Sequence, residues 1–252
     1  MSELEIRKAV KERYAKLATS SEAECCGAEG CCGDSNLVTL GGAVPVEASS
    51  VNAGCGSPLL LVSPKEGEVV LDLGSGGGID VFRASQMVGE KGRAIGVDAT
   101  PEMIWRARET KAKYRSRYAN AEFRLGEIEH LPIESGTVDH VISNCVINLS
   151  PDKQAVFKES FRVLRDGGVF AVADVTLTKE IPDAARKDMD SWSACTAGAL
   201  TDMDYERLLR GAGFQEVRVE RISDSNIGEY PFSYHSSHIT AKKPIASSLK
   251  SS

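Results

Sequence analysis

The sequence has no apolar run long enough to cross a bilayer. Stretches such as Val169 to Ala173 stop after a handful of residues, whereas a membrane-spanning helix needs about 20. A secretory leader is missing too, because Met1 to Lys16 alternates charged and apolar residues and has no hydrophobic core segment. Nor is there a surplus of positive charge. Against 30 basic residues stand 36 acidic ones, a net charge of −6, which argues against a partner read through its phosphates. The basic cluster Lys111, Lys113, Arg115 and Arg117 reads as the solvated face of a helix. Histidine is scarce: His130, His140, His235 and His238 show no ligand-like spacing, and His235 with His238 reads as a structural pair on an edge strand or its turn. These absences lead us to expect a soluble, cytoplasmic chain with no nucleic-acid and no membrane partner.

Cysteine, by contrast, is present seven times. Without an export signal these thiols face a reducing compartment, which shifts the expectation from structural disulfides towards metal binding or thiol chemistry. A length of 252 residues suits one good-sized domain with additions.

Residues 3 to 18 carry Ile6, Val10, Tyr14 and Leu17 at helical spacing. From Ser20 to Ser57 periodicity is lost; Cys25, Cys26, Cys31, Cys32 and Cys55 lie there among glycines and small residues, as in a loop or cap. Beyond it, short apolar strands alternate with helices. Strands are expected at Val69 to Leu73, Ala94 to Val97, Ala121 to Leu125, Val138 to Ser143 and Val169 to Val175. Helices are expected at Ile79 to Val88, Pro101 to Tyr118 and Asp152 to Leu164, with Asp166-Gly167-Gly168 as a turn. Thr201 to Ala212 reads as a further helix, and Val217 to Ile222 with His238 to Lys242 as an antiparallel pair at the sheet edge. The fold class is therefore α/β, a Rossmann-like doubly wound, seven-stranded sheet with an N-terminal Cys-rich cap. The expected divisions are 1–50 for the N-terminal helix and cap, 51–243 for the sheet domain, and 244–252 for a disordered Ser- and Lys-rich tail.

In such sheets ligands bind at the carboxyl ends of the strands, where the strand order reverses. The loop Gly74-Ser75-Gly76-Gly77-Gly78 follows the first strand, and its glycines let a cofactor approach the backbone and the next helix's N-terminus. A dinucleotide fingerprint would place Gly or Ala at 79, which is Ile79. Asp72 lies where it can meet the amino-acid part of a cofactor, and Asp98, ending the second strand, can accept from two ribose hydroxyls.

Together with Gly96-Val97-Asp98, Gly126-Glu127-Ile128-Glu129-His130-Leu131-Pro132 and Leu164-Arg165-Asp166-Gly167-Gly168, this loop resembles the class I S-adenosylmethionine-dependent methyltransferases over roughly residues 51 to 243. The resemblance implies S-adenosyl-L-methionine as cofactor, held by Asp72, Gly74, Gly76, Gly78 and Asp98. It also places Glu127 and the Ile128 amide at the adenine and Asn144 near the transferred methyl group.

Three cysteines fall where an acceptor would lie: Cys55 before the first strand, Cys145 at the carboxyl end of the fourth, and Cys195 in the insertion after the fifth. Taken singly each reads as a small buried hydrophobe; three thiolates converging from separate segments suit a soft, thiophilic ion such as trivalent arsenic. Zinc would want four closed ligands and brings no nucleophile. The segments Gly54-Cys55-Gly56, Ser143-Asn144-Cys145-Val146-Ile147-Asn148-Leu149 with Asp152-Lys153, and Cys195-Thr196-Ala197-Gly198-Ala199-Leu200 resemble the arsenite methyltransferases. That resemblance implies methyl transfer to arsenic bound by Cys55, Cys145 and Cys195. It also implies a disulfide between Cys55 and an N-terminal cysteine during turnover, reset by thioredoxin or glutathione. The family usually offers one N-terminal partner, whereas this chain has Cys25, Cys26, Cys31 and Cys32; each is a redox partner of Cys55, part of an arsenic or zinc clip, or inessential. Two other readings stand beside this one: a methyltransferase for a small organic acceptor, which needs none of the three cysteines, and a thiol-rich arsenic or metal sensor without enzymatic activity. Trp105 and Trp192 read as packing, with Trp192 also flanking the substrate insertion.

Overall fold

The structure, a computed structural model, describes residues 2–19, 44–49, 56–182, 186, 192, 196–223 and 234–245. In chain order the elements are α1 (Glu3–Thr19), α2 (Val46–Ser49), α3 (Leu59–Val62), β1 (Val69–Leu73), α4 (Ile79–Val88), β2 (Arg93–Asp98), α5 (Pro101–Lys113), β3 (Ala121–Leu125) and β4 (Val138–Asn144). A 3-10 turn, Ile147–Leu149, leads into α6 (Lys153–Val163), β5 (Leu164–Leu177), β6 (Leu200–Thr201), α7 (Asp202–Gly211), β7 (Gln215–Ser223) and β8 (Tyr234–Lys242).

The main sheet path is β3-β2-β1-β4-β5-β8-β7, with the two-residue β6 beside β5. Strands β1 to β5 run parallel, and β8 pairs antiparallel with both β5 and β7. The seven expected strands are thus present, with β6 as a short addition. Near-continuous apolar strands bury both sheet faces, as parallel sheets require. One face packs Phe157, Tyr205 and Phe214 against β4, β5 and β8; the other packs Phe82, Ile104 and Tyr118 against β1 to β3. No helix among the described residues is long and apolar enough to cross a membrane.

Some expected boundaries move. Helix α5 stops at Lys113 rather than Tyr118, where the Tyr114 N–H bonds back to the carbonyls of Thr110 and Lys111. The Asp166-Gly167-Gly168 turn lies inside β5. The register steps from Val138–Leu164 to His140–Val169, leaving residues 165–168 as a bulge in which Gly167 takes φ 78°. Strand β8 is longer than expected and interior, flanked by β5 and β7. His235 and His238 therefore sit inside the sheet instead of at its edge. The cap segment 20–43 and the tail 246–252 lie outside the described residues.

The strand order reverses between β1 and β4, which pair with Leu73 opposite Ser143. The glycine loop leaves β1 and Cys145 follows β4, so both emerge side by side at the crevice where this fold class takes its ligands.

Candidate active site

The loop after β1 curls because its amides find partners on β2: the N–H groups of Gly74 and Ser75 donate to the Val97 carbonyl at 2.8 and 3.1 Å. Gly74 takes φ 66°, and a Cβ there would stand 2.4 Å from Val146, so the loop is seated against the turn after Cys145. Asp98 completes the curl, one carboxylate oxygen accepting from the Gly76 N–H (2.9 Å) and the other from the Thr100 N–H (2.8 Å). The Thr100 side chain hydrogen-bonds to Asp98 as well; three of the carboxylate's four lone-pair sites are then used, and the remaining one keeps the expected ribose contact compatible with this scaffolding role.

Of the residues proposed from sequence, Asp72, Gly74, Gly76 and Asp98 line one cavity together with Glu127, Ile128, Asn144 and Cys145. Gly78 is outside that lining. It precedes α4 at φ 90°, with the Phe123 ring where a Cβ would stand, so it serves packing and helix entry. Cys55, Cys195, Cys25, Cys26, Cys31 and Cys32 lie outside the described residues.

The cavity floor is acidic. Asp72 is held well above the ordinary aspartate range by burial and by the neighbouring charges of Asp80 and Asp98. Burial raises Asp98 too, against the two backbone N–H bonds that favour its charged form. Asp80, in the first turn of α4, was not anticipated. It is raised by burial, opposed by its ion pair with Arg83 (3.2 Å) and a hydrogen bond from Asn144. The available signal was an acid–base pair three residues apart on a helix otherwise rich in apolar residues. Three buried acids beside one arginine favour a cationic ligand, and the glycine-lined wall admits one against the backbone. These features fit the sulfonium and ammonium charges of S-adenosylmethionine.

Helix α1 covers the cavity with Arg7, Val10, Lys11 and Tyr14, one face at helical spacing. Sequence reasoning saw the amphipathic helix but could not say what its inner face covers. Lys11 pairs with Glu127 at 2.5 Å, and Arg7 reaches Glu127 at 3.3 Å and Glu129 at 2.9 Å. Glu129, 3% exposed, also accepts from Ser150 Oγ at 2.5 Å. The acid expected at the adenine is therefore already tied to α1.

At the other end Cys145 is 3% exposed and shares a buried cluster with Leu149, Val175, Leu177 and Tyr234, against which Val10 and Tyr14 of α1 pack. It takes φ 56° and donates its N–H to the Ala173 carbonyl at 2.8 Å. Asn144 donates to the Gly56 carbonyl at 2.7 Å, fastening the residue after Cys55 to the end of β4. The Cys145 sulfur is disulfide-bonded.

A mixed sheet of this order with a glycine loop at its reversal fits an S-adenosylmethionine-dependent methyltransferase, and residues 64–213 match the family model described as a methyltransferase domain. Over 95% of its length the chain is 44% identical to the arsenite methyltransferase of Halobacterium salinarum, covering 67% of that relative. It is 36% identical to the enzyme of the same name from Aquipseudomonas alcaligenes, with 89% of this chain and 68% of that one aligned. The arsenic(III) S-adenosylmethionine methyltransferase of Chlamydomonas reinhardtii, known by crystallography, superposes with a TM-score of 0.69 at 36% identity, covering 81% of this chain and 71% of that one. The chain belongs to the arsenite methyltransferase family.

Proposed function

We propose that this chain transfers the methyl group of S-adenosylmethionine to trivalent arsenic held by the thiolates of Cys145, Cys195 and Cys55. The observation that carries this reading is the position of Cys145. It stands at the carboxyl end of β4, beside the glycine loop and lining the same cavity as the cofactor residues. Arsenite enters as a tris-thiol adduct and exchanges its three small thiols for three protein thiols, one S–H proton passing to each departing thiolate. When bound, S-adenosylmethionine supplies an electrophilic methyl group, and the arsenic lone pair is the acceptor. No general base is needed, because that nucleophile carries no proton.

The residues of this chain orient and exclude. Asp98 and Gly76 fix the loop, while Asp72 and Asp80 supply negative charge for a cationic donor. Glu127 and Ile128 serve the adenine end. Val10 and Tyr14 of α1 keep water from the sulfur. Methylated arsenic at the pentavalent level returns to the trivalent one when two thiolates join as a disulfide, each giving up one electron. Cys55 with one of Cys25, Cys26, Cys31 and Cys32 is the pair proposed for that step. Thioredoxin or glutathione in a reducing cytoplasm then regenerates the thiols.

The test is Cys145→Ser in reduced protein. Arsenite methylation falls below detection while calorimetric binding of S-adenosylmethionine is retained. Unimpaired methylation of an organic acceptor by that variant would sink the proposal, and arsenite binding by the wild type without any methylated product would favour a sensor.

A further inference from the structure

Cys145 is followed by the turn Ile147–Leu149, and that turn is held by a buried polar network which the chemistry described so far does not use. Asn148 is fully buried. Its side-chain amide donates one hydrogen to Asp174 Oδ1 at 2.8 Å and the other to the Val175 carbonyl at 2.7 Å. Asp174, also fully buried on β5, accepts in addition from its neighbour's Val175 N–H at 2.8 Å and from Tyr205 Oη of α7 at 2.9 Å. From the opposite side Lys153, at the start of α6, donates to the carbonyls of Ser150 (2.8 Å) and Asn148 (3.3 Å) and stands over the Trp192 ring. The Asn148 carbonyl further abuts Gly198, where any Cβ would come within 2.0 Å.

A fully buried carboxylate, even with neutral donors around it and the Lys153 charge nearby, costs stability that an apolar residue of similar size would not. A left-handed backbone at a residue with a Cβ adds roughly 1–2 kcal/mol. Such strain persists only where the surroundings over-determine it. Here the residue in that conformation is Cys145, and what fixes the chain after it is this network. We infer that Asn148 and Asp174 are positioning residues for the Cys145 sulfur, pinning the following turn to β5 so that the thiolate faces the methyl donor. This inference rests on the proposed role of Cys145 as an arsenic ligand.

The experiment compares Asn148→Ala, Asp174→Ala and Asp174→Asn in the reduced protein. A displacement of about 1 Å costs on the order of 100-fold. The two alanine variants are therefore expected to lose about that much in kcat for arsenite, while the Kd for S-adenosylmethionine stays within about twofold. Asp174→Asn keeps an acceptor for Asn148 and retains most of the activity. A second readout uses a protein in which Cys145 is the single cysteine. Releasing the turn in Asn148→Ala raises the iodoacetamide alkylation rate of the buried thiol about tenfold. Should the alanine variants fail to fold, Lys153→Met frees the two carbonyls from the α6 side without emptying the core, and the same loss of arsenite kcat at constant cofactor affinity is expected. Unchanged arsenite kcat or unchanged alkylation overturns the inference, as does a parallel loss of cofactor affinity. Cys145→Ser is measured alongside. If it keeps arsenite methylation, the functional reading falls; if it loses methylation while Asn148→Ala does not, only the positioning role falls.

Discussion

The two ends of the cavity are built by different means. At the cofactor end the anchors are local to β1 and β2: loop amides on the Val97 carbonyl, and the Gly76 and Thr100 amides on Asp98. At the acceptor end nearly every support of Cys145 comes from a distant element. β5 supplies the Ala173 carbonyl and Asp174, α7 supplies Tyr205, α6 supplies Lys153, and α1 supplies the cover. The proposed donor site thus follows from the topology and a short glycine motif, whereas the proposed acceptor site is an assembly of long-range contacts.

Four measurements break or sharpen that contrast, from the largest effect to the smallest. Gly74→Ala strikes the point where the two ends meet, since its Cβ would stand 2.4 Å from Val146 at a backbone φ of 66°. A loss of about 3 kcal/mol from overpacking and strain is expected, seen as a lower denaturant midpoint and at least about 100-fold weaker binding of S-adenosylmethionine. Wild-type affinity in that variant would show that the seam between the ends is soft.

The second concerns pH. Burial pushes Asp174 up to about 6 from 3.8, so the folded protein binds this proton more tightly than the unfolded chain. The corresponding stability is present in full below about 4 and is lost as pH rises through about 6, an amount of roughly 3 kcal/mol. Asp174→Asn removes that contribution. Urea unfolding should show the variant more stable than wild type at pH 7.5, with the difference shrinking towards pH 4. An advantage that grew on acidification would refute the assignment.

Third, Asp98→Asn leaves one oxygen for two amides at the cofactor end. Calorimetry should give about tenfold weaker S-adenosylmethionine binding, the scale of one charge-assisted hydrogen bond. Arsenic capture by the reduced thiols is expected to stay at the wild-type level, and a parallel loss would contradict the separation of the ends. Last, Lys11→Met removes a half-exposed ion pair between α1 and Glu127. The effect on cofactor affinity should be only about twofold and should vanish at high salt.

Legibility in the sequence follows the same division. The order of strands and helices was readable because apolar runs, glycine punctuation and Asp98 are local signals, and Asp152 caps α6 through the Ala155 N–H as its position suggests. Asp80 and Arg83 were missed because a charged pair on a helix usually faces solvent, and burial is decided by what packs over it. The bulge at Gly167 escaped notice because a glycine turn and a glycine kink inside a strand share a composition; what separates them here is pairing with Gly168 and Gly167 from Lys243, far along the chain. Val10 and Tyr14 announced a buried face on α1, yet nothing local says that the face belongs to a cavity.

The pairing of Leu73 with Ser143 has one more consequence. Neighbouring strands in a sheet lie about 4.8 Å apart whatever their side chains. The loop that carries the donor residues and the bend that carries the sulfur therefore leave the sheet on a gauge of fixed width, set by main-chain geometry alone. A relative can trade its acceptor by altering the bend or the helix laid across it, and the donor need not be re-sited, since the rails beneath both keep their spacing.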